Sequence, residues 1–401
     1  MASTAVPAAF LESYSSFERY PLKLVLQDTY GLATLQLICN RINEKAPYIF
    51  VEDNDTSIYV QDVGDDGKAK SQYLISDDEI KGWLGDTSVA GIVNARLATK
   101  ADPRCRSVFL LANPARLPYE ISLKSALRIL SYHQVSPDFF DFLDVYIART
   151  ESDRELRFGA FKSEVYLALP EPDTMLTDLG RSGNHYQLSF NLKTATFKDD
   201  VWKIQQAAIH HQFDVRTGVQ LWIYGDPHDS LRDRIVDLIS NDGNHKQKFE
   251  TVSASFESSL KMHLRSAKWA TEGWRQYIAD SEEAVASVTL LFNHMRESRH
   301  RRLVTKDLLM AQGAEDSMNE TILLLELNSE NMDALYNFYL STVEDDDFPN
   351  RDRRDCFKAI KNFERRLREL QFDIQSQILR AKLNRDIMAS RKATASLRST
   401  S

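Results

Sequence analysis

Cysteine is scarce in this chain. Cys39, Cys105 and Cys356 are the only three in 401 residues, and they lie far apart. They provide no paired framework, which excludes a disulfide-stapled miniprotein and suits a reducing compartment. Long apolar runs are missing as well. The longest, around Val288–Phe292 and Ile322–Leu325, fall far short of the ~20 residues a membrane-spanning helix needs. The chain as it stands is therefore expected not to cross a bilayer. Met1–Leu11 has neither the basic start and apolar stretch of a secretory signal nor the arginines of a mitochondrial presequence, which favours the cytoplasm.

Motifs that announce a reaction are also absent. The densest glycine cluster, Gly180-Arg181-Ser182-Gly183, fits neither G-x-x-x-x-G-K-[ST] nor G-x-G-x-x-G, and Asn184 breaks the nucleophile elbow G-x-S-x-G. It reads as a turn ahead of a strand. No C-x-x-C or H-E-x-x-H spacing provides a zinc site. Asp53-Asn54-Asp55 opens like a calcium loop, but Ile58 and Gly64 stand where that loop needs glycine and glutamate. There is no aromatic-interleaved RNA-binding pattern and no zinc finger, so no specific nucleic acid is expected.

What the sequence does hold is material for a core. Hydrophobic residues make up 43% and charged residues 27%, ordinary for a globular chain long enough for two or three domains. Charge is segregated. Arg351–Ser401 carries 14 Lys and Arg against 6 Asp and Glu, a net of +8, so Met1–Asn350 carries −16 of the whole chain's −8. A basic end on an acidic body can approach phosphate, including anionic lipid head groups; the plainer reading is a solvated helix face rich in arginine.

Periodicity divides the chain near residue 228. Ahead of that point, Tyr48–Val51, Ser57–Gln61 and Ser107–Leu111 read as short strands. Ser122 caps a helix whose Leu123, Leu127 and Leu130 lead to His133. After Pro137, Phe139, Phe142 and Leu143 are core candidates. Tyr186–Leu192 alternates polar and apolar residues. Trp202–Val215 and Val219–Tyr224 flank Arg216-Thr217-Gly218, a hairpin in which Gly218 supplies the positive φ.

Behind residue 228 the pattern is helical: Leu231–Ser240, a long helix over Phe256–Met295 with Gly273 as its weak point, and another from about Asp316 to Val343. The last runs from about Arg353 to Lys392. Its Phe357, Ile360, Phe363, Leu367, Leu370, Ile374 and Ile378 recur at spacings of 3 and 4, one continuous stripe on a rod about 60 Å long. The expected fold is α/β (α+β): a mixed-sheet body over 1–228, long helices over 229–392 ending in a stalk-like helix, and a disordered tail over 393–401.

Candidates for chemistry are few. His210 and His211 are adjacent on a strand, so they point to opposite faces and cannot bind one ion; one is expected in the core and the other exposed. His133 can cap carbonyls at the end of its helix. With Asp199-Asp200 these are the nearest thing to catalytic groups, and no partner is placed beside them, so no catalytic residue is assigned and the chain is not expected to be an enzyme. Glu344-Asp345-Asp346-Asp347 is the one dense run of carboxylates between helices. It is the candidate metal site, for a hard divalent cation such as a regulatory Mg2+, against a solvated loop as the plainer reading.

Several stretches resemble a known family. They are Ser131-Tyr132-His133-Gln134-Val135, Leu179-Gly180-Arg181-Ser182-Gly183, Phe190-Asn191-Leu192-Lys193, and Trp202 through Ala207 with Phe213-Asp214-Val215, Thr217-Gly218 and Leu221-Trp222-Ile223. Further on come Trp269, Glu272-Gly273-Trp274-Arg275, Tyr277-Ile278, Asp280, Glu282-Glu283, Ala381-Lys382-Leu383 and Arg391-Lys392. In order and spacing over most of residues 125–392 they resemble the fungal CorA-like transporter domain proteins, whose namesakes are CorA-type magnesium channels; residues before about 110 add little.

The resemblance implies a cytosolic α/β domain leading into a long stalk. In the transporters the stalk continues into two membrane helices, the first ending in a Gly-Met-Asn signature, and the channel is a pentamer. None of that signature is in this sequence, so no channel residue carries over. The expectation is either the cytosolic part of a longer, membrane-associated transporter or a stand-alone copy without a pore. It would act as a homo-oligomer or by sensing cations, or alternatively as a scaffold whose long amphipathic helix docks a partner helix.

Overall fold

The computed structural model describes residues 6–25, 30–86, 100–112, 118–145, 156–170, 172–225, 229–240, 248–283, 286 and 305–399. Its centre is a mixed seven-stranded sheet built from β2 (Ile58–Val63), β3 (Ala69–Leu74), β4 (Cys105–Leu110), β6 (Phe161–Tyr166), β7 (His185–Lys198), β8 (Val201–Asp214) and β9 (Gln220–Gly225), in the order β3-β2-β4-β9-β8-β7-β6. Only the β4–β9 pair is parallel. β1 (Phe50–Val51) and β5 (Tyr119–Ser122) form a separate parallel pair.

The expected hairpin is present: β8 and β9 pair antiparallel through a turn in which Gly218 has φ +75°. A longer hairpin precedes it. β7 and β8, fourteen residues each, pair along their whole length from His185–Asp214 to Lys198–Val201. Asp199 and Asp200 make its turn, both at positive φ (54° and 60°), the conformation a two-residue turn needs to match strand twist.

Helices cover both faces of the sheet. One face, with Val60, Val108, Leu221 and Ile223, packs against α1 (Ala8–Ser15), α2 (Leu32–Ile49), α4 (Leu123–His133) and α5 (Phe139–Asp144). α3 (Asp77–Trp83) adds Ile80 and Trp83 to the same core. The other face, with Ile209, Phe213, Trp222 and Tyr224, packs against α6 (Asp229–Ser240), α7 (Val252–Thr271), α9 (Thr305–Glu344) and α10 (Asn350–Ser399). Sheet and rods therefore share one core across the expected boundary, whose residues 226–228 lie outside the described ones.

Three expected elements come out differently. Tyr48–Val51 is mostly helical: α2 runs through Ile49, because Leu35, Cys39, Ile42, Ala46 and Ile49 recur at helical spacing and are all buried. The long helix over Phe256–Met295 breaks where the glycine stands. α7 ends at Thr271 and α8 (274–283) starts beyond Gly273, which has φ +74°. A Cβ on Gly273 would lie 1.7 Å from the Ala195 carbonyl oxygen, so the bend is a close approach of helix to strand. Most of the remainder of that expected helix, after 283, lies outside the described residues. Finally, α10 continues to Ser399 through the expected disordered tail, since Ala393, Ala395, Leu397 and Arg398 are good helix formers with no glycine or proline among them. α10 is about 75 Å long and α9, which starts ahead of the expected Asp316, about 60 Å.

Candidate functional site

The four carboxylates expected to gather a cation, Glu344, Asp345, Asp346 and Asp347, form the turn between α9 and α10, and all are exposed. The turn already holds a cation of its own. One guanidinium nitrogen of Arg353 donates to the main-chain carbonyls of Asp345 (2.7 Å), Asp346 (3.1 Å) and Phe348 (2.8 Å), while Asp345 Oδ1 accepts from the Asp347 N–H at 2.9 Å. Among the described residues no three His, Cys, Asp or Glu side chains converge as metal ligands.

His210 and His211 point to opposite faces, but both are completely buried, where one was expected to be exposed. The sheet has no solvent face at that point. His210 Nδ1 lies 2.9 Å from Ser189 Oγ, the ring packs on Phe139, and burial pushes its pKa down to about 3. His211 faces His263 and Tyr339 across the sheet–helix interface. His133 ends α4 between two guanidinium groups, its Nε2 3.5 Å from Arg106 and its Nδ1 3.3 Å from Arg181. Burial first, and then those two cations, hold its pKa far below the usual imidazole range. The cleft that His133 lines contains neither His210, His211 nor the Asp199-Asp200 turn.

That cleft is where the resemblance motifs at 131–135, 179–183, 213–215 and 221–223 meet. Arg106 donates to both oxygens of Asp62 at 3.0 Å and stacks over Trp83 at 4.0 Å. Arg181 donates to Asp102 (2.6 Å) and to the Tyr132 carbonyl (2.7 Å). Next to it, Asp214 accepts from the Ser182 N–H (2.6 Å) and hydroxyl (2.8 Å) and from the N–H groups of Arg216 (3.0 Å) and Thr217 (2.9 Å). The motifs at 131–135, 179–183 and 213–218 are thus pinned to one another by charge-assisted hydrogen bonds. Two arginines, Arg106 and Arg181, stand among three aspartates, Asp62, Asp102 and Asp214, so most of the charge in the joint is compensated. Asp62, Asp102 and Arg106 were not singled out from the sequence; pairs so far apart leave no spacing signal.

The outer surface of α10 carries apolar side chains that nothing among the described residues covers. Phe363, Leu367, Ile374, Ile378, Ala381 and Met388 are buried on its inner face. On the opposite face Phe372 is 74% exposed, Leu379 68%, Leu383 61% and Ile387 36%. At 100° per residue these four span about a fifth of the helix circumference. The basic excess of this helix is partly met inside the fold: Arg368 pairs with Asp333 (2.9 Å), Arg380 with Glu282 (2.7 Å), Lys382 with Glu326 (2.8 Å) and Lys392 with Glu315.

Residues 12–292 match the family model described as CorA-like transporters, and the chain belongs to that family. The match begins well ahead of residue 110, in the part where the motifs had added little, and ends before α9 and α10. No curated protein matches the chain. Among solved structures it is similar to the complete CorA magnesium transporter of Methanocaldococcus jannaschii, at 10% identity and a TM-score of 0.35 over 85% of this chain and 77% of that one; at that score the likeness adds nothing to the family assignment. The matched family is described as transporters and not as a family of enzymes. No helix among the described residues is long and apolar enough to cross a membrane.

Proposed function

We propose that this CorA-like chain works as an assembly of copies of itself, with the outward face of α10 as the contact. The observation that carries this reading is the exposed stripe Phe372, Leu379, Leu383 and Ile387 on a helix whose other face is fully packed. Large apolar side chains in a row on a surface mark an interaction site. A second copy fits this stripe: in a two-fold contact Phe372, Leu379, Leu383 and Ile387 of one copy would be covered by the same side chains of the other.

Cation sensing is the second half of the reading and rests on Glu344, Asp345, Asp346 and Asp347. Because these are exposed and side by side, Mg2+ would act there by screening their mutual repulsion beside the contact helix, not as a deeply held ligand. In a longer transporter of this family the same helix would stand next to the membrane, on its cytoplasmic side.

Size-exclusion chromatography with light scattering tests the assembly, with and without millimolar Mg2+. Wild type is expected at a multiple of the chain mass, and Leu379→Ser with Leu383→Ser at the mass of one chain with unchanged circular dichroism. A wild-type protein that stays a single chain at every concentration and is blind to Mg2+ contradicts the reading.

A further inference from the structure

Three buried donors meet between the sheet and the rods in a way that neither the family nor the assembly explains. His211 comes from β8, His263 from α7 and Tyr339 from α9. His211 Nδ1 lies 3.4 Å from His263 Nε2 and 3.1 Å from the Tyr339 hydroxyl, which in turn is 2.8 Å from His263 Nε2. All three side chains have no more than 1% of their surface exposed.

The dimensions of this triangle are those of a metal face. A circle through three atoms so spaced has a radius of about 1.8 Å, so an ion at the ~2.0–2.1 Å of a zinc–nitrogen bond sits about 0.9 Å above the plane, as at one face of a tetrahedron. A fourth donor stands beside them. The Tyr186 ring packs edge-on against His211 (5.8 Å) and Tyr339 (5.9 Å), and its hydroxyl is buried with no hydrogen-bond partner among the described residues.

We propose that His211, His263 and Tyr339, with Tyr186 at the open position, bind one transition-metal ion of the zinc or copper class. The donor set is two imidazoles and phenol oxygen, which suits those ions; Mg2+ prefers an all-oxygen set with several waters. The two imidazoles bind neutral. Each tyrosine that ligates as phenolate gives its proton to solvent, so two phenolates leave a dication site with no net charge, which the dry surroundings favour. The ion would join strand, α7 and α9 at one point and enter as the helices close over the sheet.

The test is metal content of the full chain, made without a histidine tag in medium supplemented with zinc, copper and iron, and exchanged into chelator-treated buffer. Elemental analysis is expected to give about one transition-metal ion per chain and no stoichiometric magnesium. A copper-loaded sample is expected to show a visible phenolate-to-metal charge-transfer band. His263→Gln and Tyr339→Phe, checked for folding by near-ultraviolet circular dichroism, are expected to lose the metal and the band. A wild type with less than about a tenth of an ion per chain overturns the proposal, as does metal retained undiminished by a folded His263→Gln. If both variants fail to fold, the wild-type content and the charge-transfer band decide alone.

Discussion

Lys193 shows what burial does at a single residue. It lies on β7 with no exposed surface, its amine without a hydrogen-bond partner among the described residues. Its main-chain N–H and carbonyl are clasped by the Asn328 side chain at 2.9 and 2.7 Å. Desolvation pulls the amine's pKa down to about 7, against about 10.4 in an unfolded chain. Between those values the unfolded chain holds the extra proton, so stability rises with pH across the window and is lowest below pH ~7. Lys193→Met is expected to raise the thermal midpoint at neutral pH and to flatten its dependence between about pH 7 and 9. Melting curves followed by circular dichroism read both; an unchanged midpoint and slope would count against the account. In the sequence Lys193 stands just past the alternating stretch Tyr186–Leu192, whose polar phase reads as a solvent face. What the sequence does not show is that helices cover the polar phase too, which also buries Gln187, Ser189, Asn191 and His210.

Single elements were legible wherever a local rule governs them. The stripe from Phe357 to Ile378 specifies α10, and Ser122, whose hydroxyl accepts from the Ser125 N–H at 3.3 Å, caps α4 as its position suggests. The β8–β9 hairpin was readable from Gly218. The β7–β8 hairpin was not, because Lys193-Thr194-Ala195-Thr196 hides the strand pattern and Asp199-Asp200 looks like a pair of functional carboxylates, not a turn. Gly273 was visible as a weak point, but the reason for it, the Ala195 carbonyl in direct contact, is tertiary. Gly273→Ala combines a strained positive φ with a backbone clash, so a loss of more than about 2 kcal/mol is expected in urea denaturation. A change within about 0.5 kcal/mol would show that the bend relaxes freely.

At the scale of the whole molecule, the motifs that resembled the family are scattered in sequence and gathered in space. Arg181, Asp214 and the end of α4 form one charged joint, while Trp269 and Trp274 belong to the core that binds the rods to the sheet. Charge segregation was legible, but not its partial resolution into ion pairs between α10 and the acidic residues of α8 and α9; these are partly exposed pairs, each worth at most about 1 kcal/mol. They orient α10 with its polar flanks on its neighbours and leave Phe372, Leu379 and Leu383 facing outward.

The central claim, that two copies meet along that stripe, has a direct reading. Cys39, Cys105 and Cys356 are all buried, so a Leu379→Cys variant offers a single accessible thiol for a pyrene label at the centre of the proposed contact. The account predicts excimer emission from the labelled protein that fades when it is mixed with excess unlabelled chain. Monomer emission alone, at concentrations where light scattering reports an assembly, would place the contact elsewhere and contradict it.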